Sequence, residues 1–233
     1  ASDVVVYDVN SNQLLTCDAL KTSAFETFPV FSADGRALYF CSSKPYDIQS
    51  DYKKIKYSLC KIDFNPDNGT FGTKVDTLVS SSKLNKSVSF PRPSFDGKYI
   101  MFTLSDYGNF SIWHREADLY LLTLSTGAFR PISEVNSADT ESFHDWTTNS
   151  RWFVFSSRRG DGLYTRLYLA SMDENGKIGK PFLLPQKDPR FYDVSLFSYN
   201  VPEFITAPVK VDVSEFERKA VSEERKQMVY TKK

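Results

Sequence analysis

The chain has 233 residues, 41% apolar and 15% aromatic, enough to build a substantial core and far from a disordered composition. Its 29 basic residues balance 29 acidic ones, so it lacks the global positive field of a nucleic-acid binder. No run approaches the roughly eighteen apolar residues of a membrane-spanning helix, so no membrane span is expected.

From the start, Asp3 to Asp8 reads as a strand, Val9 to Asn12 as a turn and Gln13 to Leu15 as the return strand. The next stretch introduces a motif, Phe28-Pro29-Val30-Phe31-Ser32-Ala33-Asp34-Gly35-Arg36-Ala37-Leu38-Tyr39-Phe40. Its Asp-Gly dipeptide signals a tight turn between two β-forming runs. The motif returns as Phe90-Pro91-Arg92-Pro93-Ser94-Phe95-Asp96-Gly97-Lys98 followed by Tyr99-Ile100-Met101-Phe102. It returns again from Phe143 to Phe155, where Asn149-Ser150 replaces Asp-Gly. The three align without a gap, at spacings of 62 (28 to 90) and 53 (90 to 143), and a fainter copy, Ser198 to Pro202, begins 55 residues after Phe143. Such self-similarity is the signature of a repeat architecture.

Each repeat continues into a long loop and two more strands, giving four-stranded antiparallel units from about Thr27 to Val79, Val88 to Ile132 and Ser142 to Leu184. The opening hairpin lacks the motif, so it reads as the back half of a preceding unit. Repeated units of this kind are propeller blades. The strand before each Asp-Gly turn is expected to be innermost, with Pro29, Pro91 and Pro93 marking its start, where no ladder donor is needed. The fold expected is all-β: a β-propeller with three and a half to four blades visible over 1–206, and a tail over 207–233. In that tail Ala207 to Val213 reads as extended, Ser214 as N-cap with Glu217 completing a capping box, and 215–227 as a short solvated helix. Cys17, Cys41 and Cys60 lack metal-ligand spacing. Cys41 and Cys60 fall on strands expected to pair and read as buried thiols, with a disulfide as the alternative.

The Phe-Ser-Ala-Asp-Gly-Arg and Ser-Phe-Asp-Gly-Lys motifs resemble the TolB-type, WD-like β-propeller repeat of bacterial envelope proteins. So do Phe153 to Arg159 and the Leu119-Tyr120 and Leu167-Tyr168 pairs. The resemblance covers roughly residues 25–205. It implies a six-bladed ring, a periplasmic or envelope location and a protein partner. Because an unclosed array exposes two blade faces, the chain reads as the C-terminal part of a longer protein, its open faces covered by N-terminal blades or by a second copy.

The long loops, Ser42–Tyr57, Leu104–Glu116 and Ser156–Thr165, should share one face, with tight turns on the other, and long loops on a rigid scaffold are where binding concentrates. The binding residues expected there are Arg92, Tyr107, Trp113, His114, Arg115, His144, Asp145, Arg158, Arg159, Asp161 and Tyr164. Each also has a structural reading: Arg158 or Arg159 paired with Asp161 or Asp145, Trp113 packed on the next blade, His144 hydrogen-bonded inside a blade. Trp146 and Trp152 read as core, and the glycosylation sequons at Asn68, Asn85 and Asn109 as chance matches. There is no Gly-x-Ser-x-Gly elbow, phosphate loop or His/Cys cluster, so no catalytic residue, metal or cofactor is assigned. The expected function is non-catalytic protein binding. The alternatives are a carbohydrate-active propeller, with Trp113, Tyr107 and Arg158 on a sugar acid and His144 on a metal, and the regulatory propeller of a peptidase.

Overall fold

A computed structural model of the chain describes residues 2–222 and 227–230. Its sheets are built in chain order. The opening hairpin is β1 (Val6–Asp8) and β2 (Gln13–Leu15). The first complete blade is β3 (Phe25–Phe31), β4 (Ala37–Ser43), β5 (Ser58–Asn65) and β6 (Thr70–Val79). The second is β7 (Ser87–Pro93), β8 (Tyr99–Ser105), β9 (Asp118–Thr123) and β10 (Phe129–Pro131). The third is β11 (Glu141–Trp146), β12 (Trp152–Ser157), β13 (Arg166–Ser171) and β14 (Phe182–Leu183). Each complete blade is an antiparallel meander in sequence order, and β15 (Val229–Tyr230) adds to β2 in parallel. The all-β propeller architecture expected from the repeats is the one observed.

Alternation along each strand explains the apolar runs. On β4, Ala37, Tyr39 and Cys41 enter a core shared with Ile100, Phe102 and Leu122 of the second blade. Leu38 and Phe40 face the other way, into a core with Val4 and Leu20 of the opening segment. A blade buried on both faces needs apolar residues at both phases of the strand period. The same alternation separates the two thiols. Phe40 pairs with Cys60 and Cys41 with Leu59, so Cys41 and Cys60 lie on opposite faces of the sheet and no disulfide joins them. Burial pushes both thiols up, Cys60 to about 11.

The inner strands carry a repeated irregularity. Each has a bulge, between Thr27 and Val30, Ser89 and Arg92, and Ser142 and Asp145. In each bulge a phenylalanine takes the left-handed conformation: Phe28 at φ 54°, Phe90 at 51° and Phe143 at 45°. That conformation is strained for a bulky side chain. It is held by a column of rings, Phe28 to Phe90 at 4.2 Å and Phe90 to Phe143 at 4.8 Å between centroids. Pro29 and Pro91 therefore sit inside strands rather than at their start, because the bulge frees the residue from the ladder.

A second repeated feature joins the blades. The N–H groups of Glu26, Val88 and Glu141 donate to the carbonyls of Ser2, Tyr57 and Ala117 at 2.9, 2.9 and 2.8 Å, and Tyr199 donates to Thr165 at 3.0 Å. The opening hairpin therefore does occupy the outer half of a blade. Residues 198–202 take up a fourth inner-strand position without pairing into a ladder. The joint corrects the register of the faint copy: Tyr199 corresponds to Glu141, so Val201-Pro202 corresponds to Phe143-His144 and to Phe90-Pro91.

The tail departs from expectation at its cap. The helix spans Val213–Val221, and Asp212 rather than Ser214 is the N-cap, its carboxylate accepting from the N–H groups of Ser214 and Glu215. Aspartate at that position meets two backbone donors with a full charge. Ser222 ends the helix, and 223–226, part of the expected helical span, lie outside the described residues. No helix among the described residues is long and apolar enough to cross a membrane.

Candidate functional site

The tight-turn face is uniform. In the three motif turns the hydroxyls of Ser32, Ser94 and Thr147 donate to Asp34, Asp96 and Asn149 at 2.6, 2.7 and 2.8 Å. Gly35, Gly97 and Ser150 all carry positive φ, so Asn149-Ser150 reproduces the Asp-Gly geometry. Ser150 offsets its strain by accepting, through its hydroxyl, the Asp96 N–H of the second blade at 3.0 Å.

The opposite face carries the long loops, and there the structure groups some of the expected residues and disperses others. Tyr107, Trp113 and His114 come together, with Phe25, Ile48, Tyr52, Tyr57 and Phe110, around a cavity of about 500 Å³ between the first two long loops. Tyr107 packs edge-on to His114 at 4.5 Å and to Tyr52 at 5.6 Å. His114 is fixed by Glu116, its Nδ1 3.0 Å from the carboxylate. Trp113 is 73% exposed and Phe110 69%, so neither packs away into a neighbouring blade. Arg158 from the third blade joins this cluster, its guanidinium 5.0 Å from the centre of the Trp113 ring.

The other expected residues have different duties. Arg115 donates to the Ala138 carbonyl at 3.1 Å. Arg159 turns inward and pairs with fully buried Glu141 at 2.8 Å, so the acid that braces it is neither Asp161 nor Asp145. Glu141 also accepts from Ser137 and Ser157 and has the polar partners that a buried charge requires. Asp161 accepts from the N–H groups of Leu163 and Tyr164, both at 2.8 Å, and shapes the third loop. Tyr164 stacks on buried Arg166, which holds the Ser195 and Phe197 carbonyls of the exit segment. Sequence reading missed Glu141 and Arg166, since only the folded chain shows what their charges meet.

Arg92, His144 and Asp145 do not lie among the long loops. Their inner strands begin two or three residues before the phenylalanine, so residues just after the bulge sit toward the tight-turn end: Arg92 pairs with Met101 and Asp145 with Val154. His144 is buried, and its Nε2–H donates to the Met101 carbonyl at 3.0 Å, while Nδ1 has no hydrogen-bond partner. Burial first, and the Arg92 charge after it, lower its pKa to about 3, so the ring is neutral. No group of three or more His, Cys, Asp or Glu among the described residues is arranged to hold a metal ion. Asp145 accepts the Phe204 N–H at 2.9 Å and is pushed above the ordinary carboxyl value chiefly by burial. Trp146 is core, as expected, but Trp152 is 41% exposed. Phe153 and Phe155 enter the core with the second blade, and alternation turns Trp152 to the other side, where it meets Phe182.

No protein-family description matches the sequence, and no curated protein does. Solved structures match. TolB from Acinetobacter baumannii is 20% identical, with a TM-score of 0.48 over 76% of this chain and 36% of its own. The β-propeller domain of the Trilobed protease from Pyrococcus furiosus is 16% identical, with a TM-score of 0.42 over 71% of this chain and 44% of its own. An oligogalacturonate lyase in complex with manganese is 10% identical, with a TM-score of 0.55 over 79% of this chain and 48% of its own. The chain spans less than half the length of each. These likenesses concern architecture alone: the fold is a β-propeller, with three complete blades and the outer half of another described.

Proposed function

We propose that the protein is a non-catalytic β-propeller of the cell envelope that binds a protein partner through its loop face. One observation carries the reading: Trp113, Phe110 and Tyr107 crowd the rim and wall of a cavity on that face, and Arg158 reaches across from another blade to stack on Trp113. Trp, Tyr and Arg dominate interface energetics when clustered around a pocket that partner side chains can fill. Arg158 forms no ion pair among the described residues, although the Asp161 carboxylate is near enough to feel its charge. The envelope location rests on the resemblance of the repeats. Open blade faces belong to the same picture.

A carbohydrate-active propeller is the competing reading, and Arg158 stacked on Trp113 is the feature that favours it. The metal role that this reading gives His144 lacks a ligand set, because His144 belongs to no group of three or more His, Cys, Asp or Glu among the described residues that could hold an ion. The test is affinity capture from an envelope extract with the wild type and a Trp113→Ala/Arg158→Ala variant. One protein retained by the wild type and lost by the folded variant is expected. Equal capture by both, or capture of glycan alone, overturns the proposal.

A further inference from the structure

The cavity between the first two long loops has walls that select its occupant. Seven rings line it: Phe25, Tyr52, Tyr57, Tyr107, Phe110, Trp113 and the His114 imidazole. No Asp, Glu, Lys or Arg lines it. The polar groups it offers are neutral, and each of them can donate a hydrogen bond. The hydroxyls of Tyr52, Tyr57 and Tyr107, the indole N–H of Trp113 and the amide of Asn109 have no hydrogen-bond partner among the described residues.

A matching ligand presents an apolar body, exposes acceptors and brings few donors of its own. A polyproline II segment has those properties: no internal hydrogen bonds, carbonyls directed outward, and no N–H at each proline. Aromatic-lined grooves read such segments because the helix is preformed and costs little entropy to bind. A neutral sugar, whose hydroxyls the tyrosines could also accept from, is the competing occupant. A charged small molecule would lose its hydration with no counter-charge in the walls. Just outside the walls the chemistry changes, because Arg158 stacks on Trp113 at 5.0 Å and, though Asp161 feels its charge, forms no ion pair among the described residues.

We infer that this cavity docks a proline-rich, polyproline II segment of the partner, and that Arg158 takes an acidic residue flanking it. The inference rests on the loop-face reading and deepens it. The test titrates the full chain calorimetrically with a peptide of ten prolines ending in two aspartates. A Gly/Ser peptide with the same end and a neutral cello-oligosaccharide serve as controls. The wild type is expected to bind the proline peptide alone. Tyr52→Ala/Tyr107→Ala should weaken binding at least about tenfold, as loss of two aromatic contacts implies. Tyr107→Phe, which keeps the ring and the fold, should weaken it about threefold to tenfold through the lost hydroxyl. Arg158→Ala should weaken the aspartate-ended peptide but not plain decaproline. The inference is overturned by no binding of the proline peptide, by equal affinity for the Gly/Ser peptide, by unchanged affinity in Tyr52→Ala/Tyr107→Ala, or by oligosaccharide binding in its place. If the proline peptide fails while partner capture still depends on Trp113 and Arg158, the cavity assignment falls and the loop-face reading stands.

Discussion

The inner strands and the long loops of the same three blades use aromatic residues to opposite ends. Phe28, Phe90 and Phe143 occupy equivalent bulges in equivalent strained conformations, and each ring packs on the next. The loops share a face but not a sequence: Tyr52 and Trp113 come from different blades, and Trp113 meets an arginine from a third. A residue held in every copy serves the ring, whereas a residue found in one copy is available for recognition. The exposures agree, with the aligned Phe40, Phe102 and Phe155 at 1%, 0% and 0% and Trp113 at 73%.

Substitutions on the two sides should therefore separate stability from binding. Trp146→Ala removes a buried indole that donates to the Arg92 carbonyl at 3.0 Å, and should cost about 3–5 kcal/mol in urea unfolding. Trp113→Ala should change stability by less than about 0.5 kcal/mol while abolishing capture, and equal destabilisation by the two would erase the contrast. Glu141→Ala strands Arg159, Ser137 and Ser157 around a missing carboxylate and should cost about 3–5 kcal/mol.

His144→Pro sharpens the comparison within the repeat itself. Proline already fills the equivalent site at Pro29, Pro91 and Pro202, so the change should lie within about 1 kcal/mol at pH 7, the worth of the lost Met101 hydrogen bond. The pH dependence is more telling. The folded ring has a pKa of about 3 against an ordinary 6.5, so below about pH 6.5 the unfolded chain takes a proton that the native state refuses. The wild type should lose up to about 1.4 kcal/mol per pH unit through this group as pH falls from about 6.5 toward 3, and the variant should not. Denaturant titrations of both proteins at pH 7, 6 and 5 give the difference, which should shift toward the variant as pH drops. The smallest effect is expected at Ser150→Gly, where relief of the positive φ and loss of the Asp96 hydrogen bond should nearly cancel, leaving thermal midpoints within a few degrees.

The blades were legible in the sequence because turn chemistry and two-sided burial leave a pattern that repeats: Asp-Gly or Asn-Ser, then an apolar strand. The bulge was not legible. Phe90-Pro91 looks like the start of a strand, because proline disfavours a ladder, and nothing local reveals that pairing resumes on both sides of it. That displacement is why Arg92, His144 and Asp145 were expected among the long loops and lie toward the tight turns. The loop residues showed their kinds but not their partners. Whether Arg158 or Arg159 stayed free depended on Glu141, an acid on another strand that charge counting along the loop could not single out.

The central claim is that recognition belongs to the long-loop face, and hydrogen exchange of the full chain with and without its captured partner tests it most directly. The account predicts slowed exchange across 46–57, 106–116 and 156–165, with the tight turns at 32–37, 94–99 and 147–152 unchanged. Protection confined to those turns would contradict it.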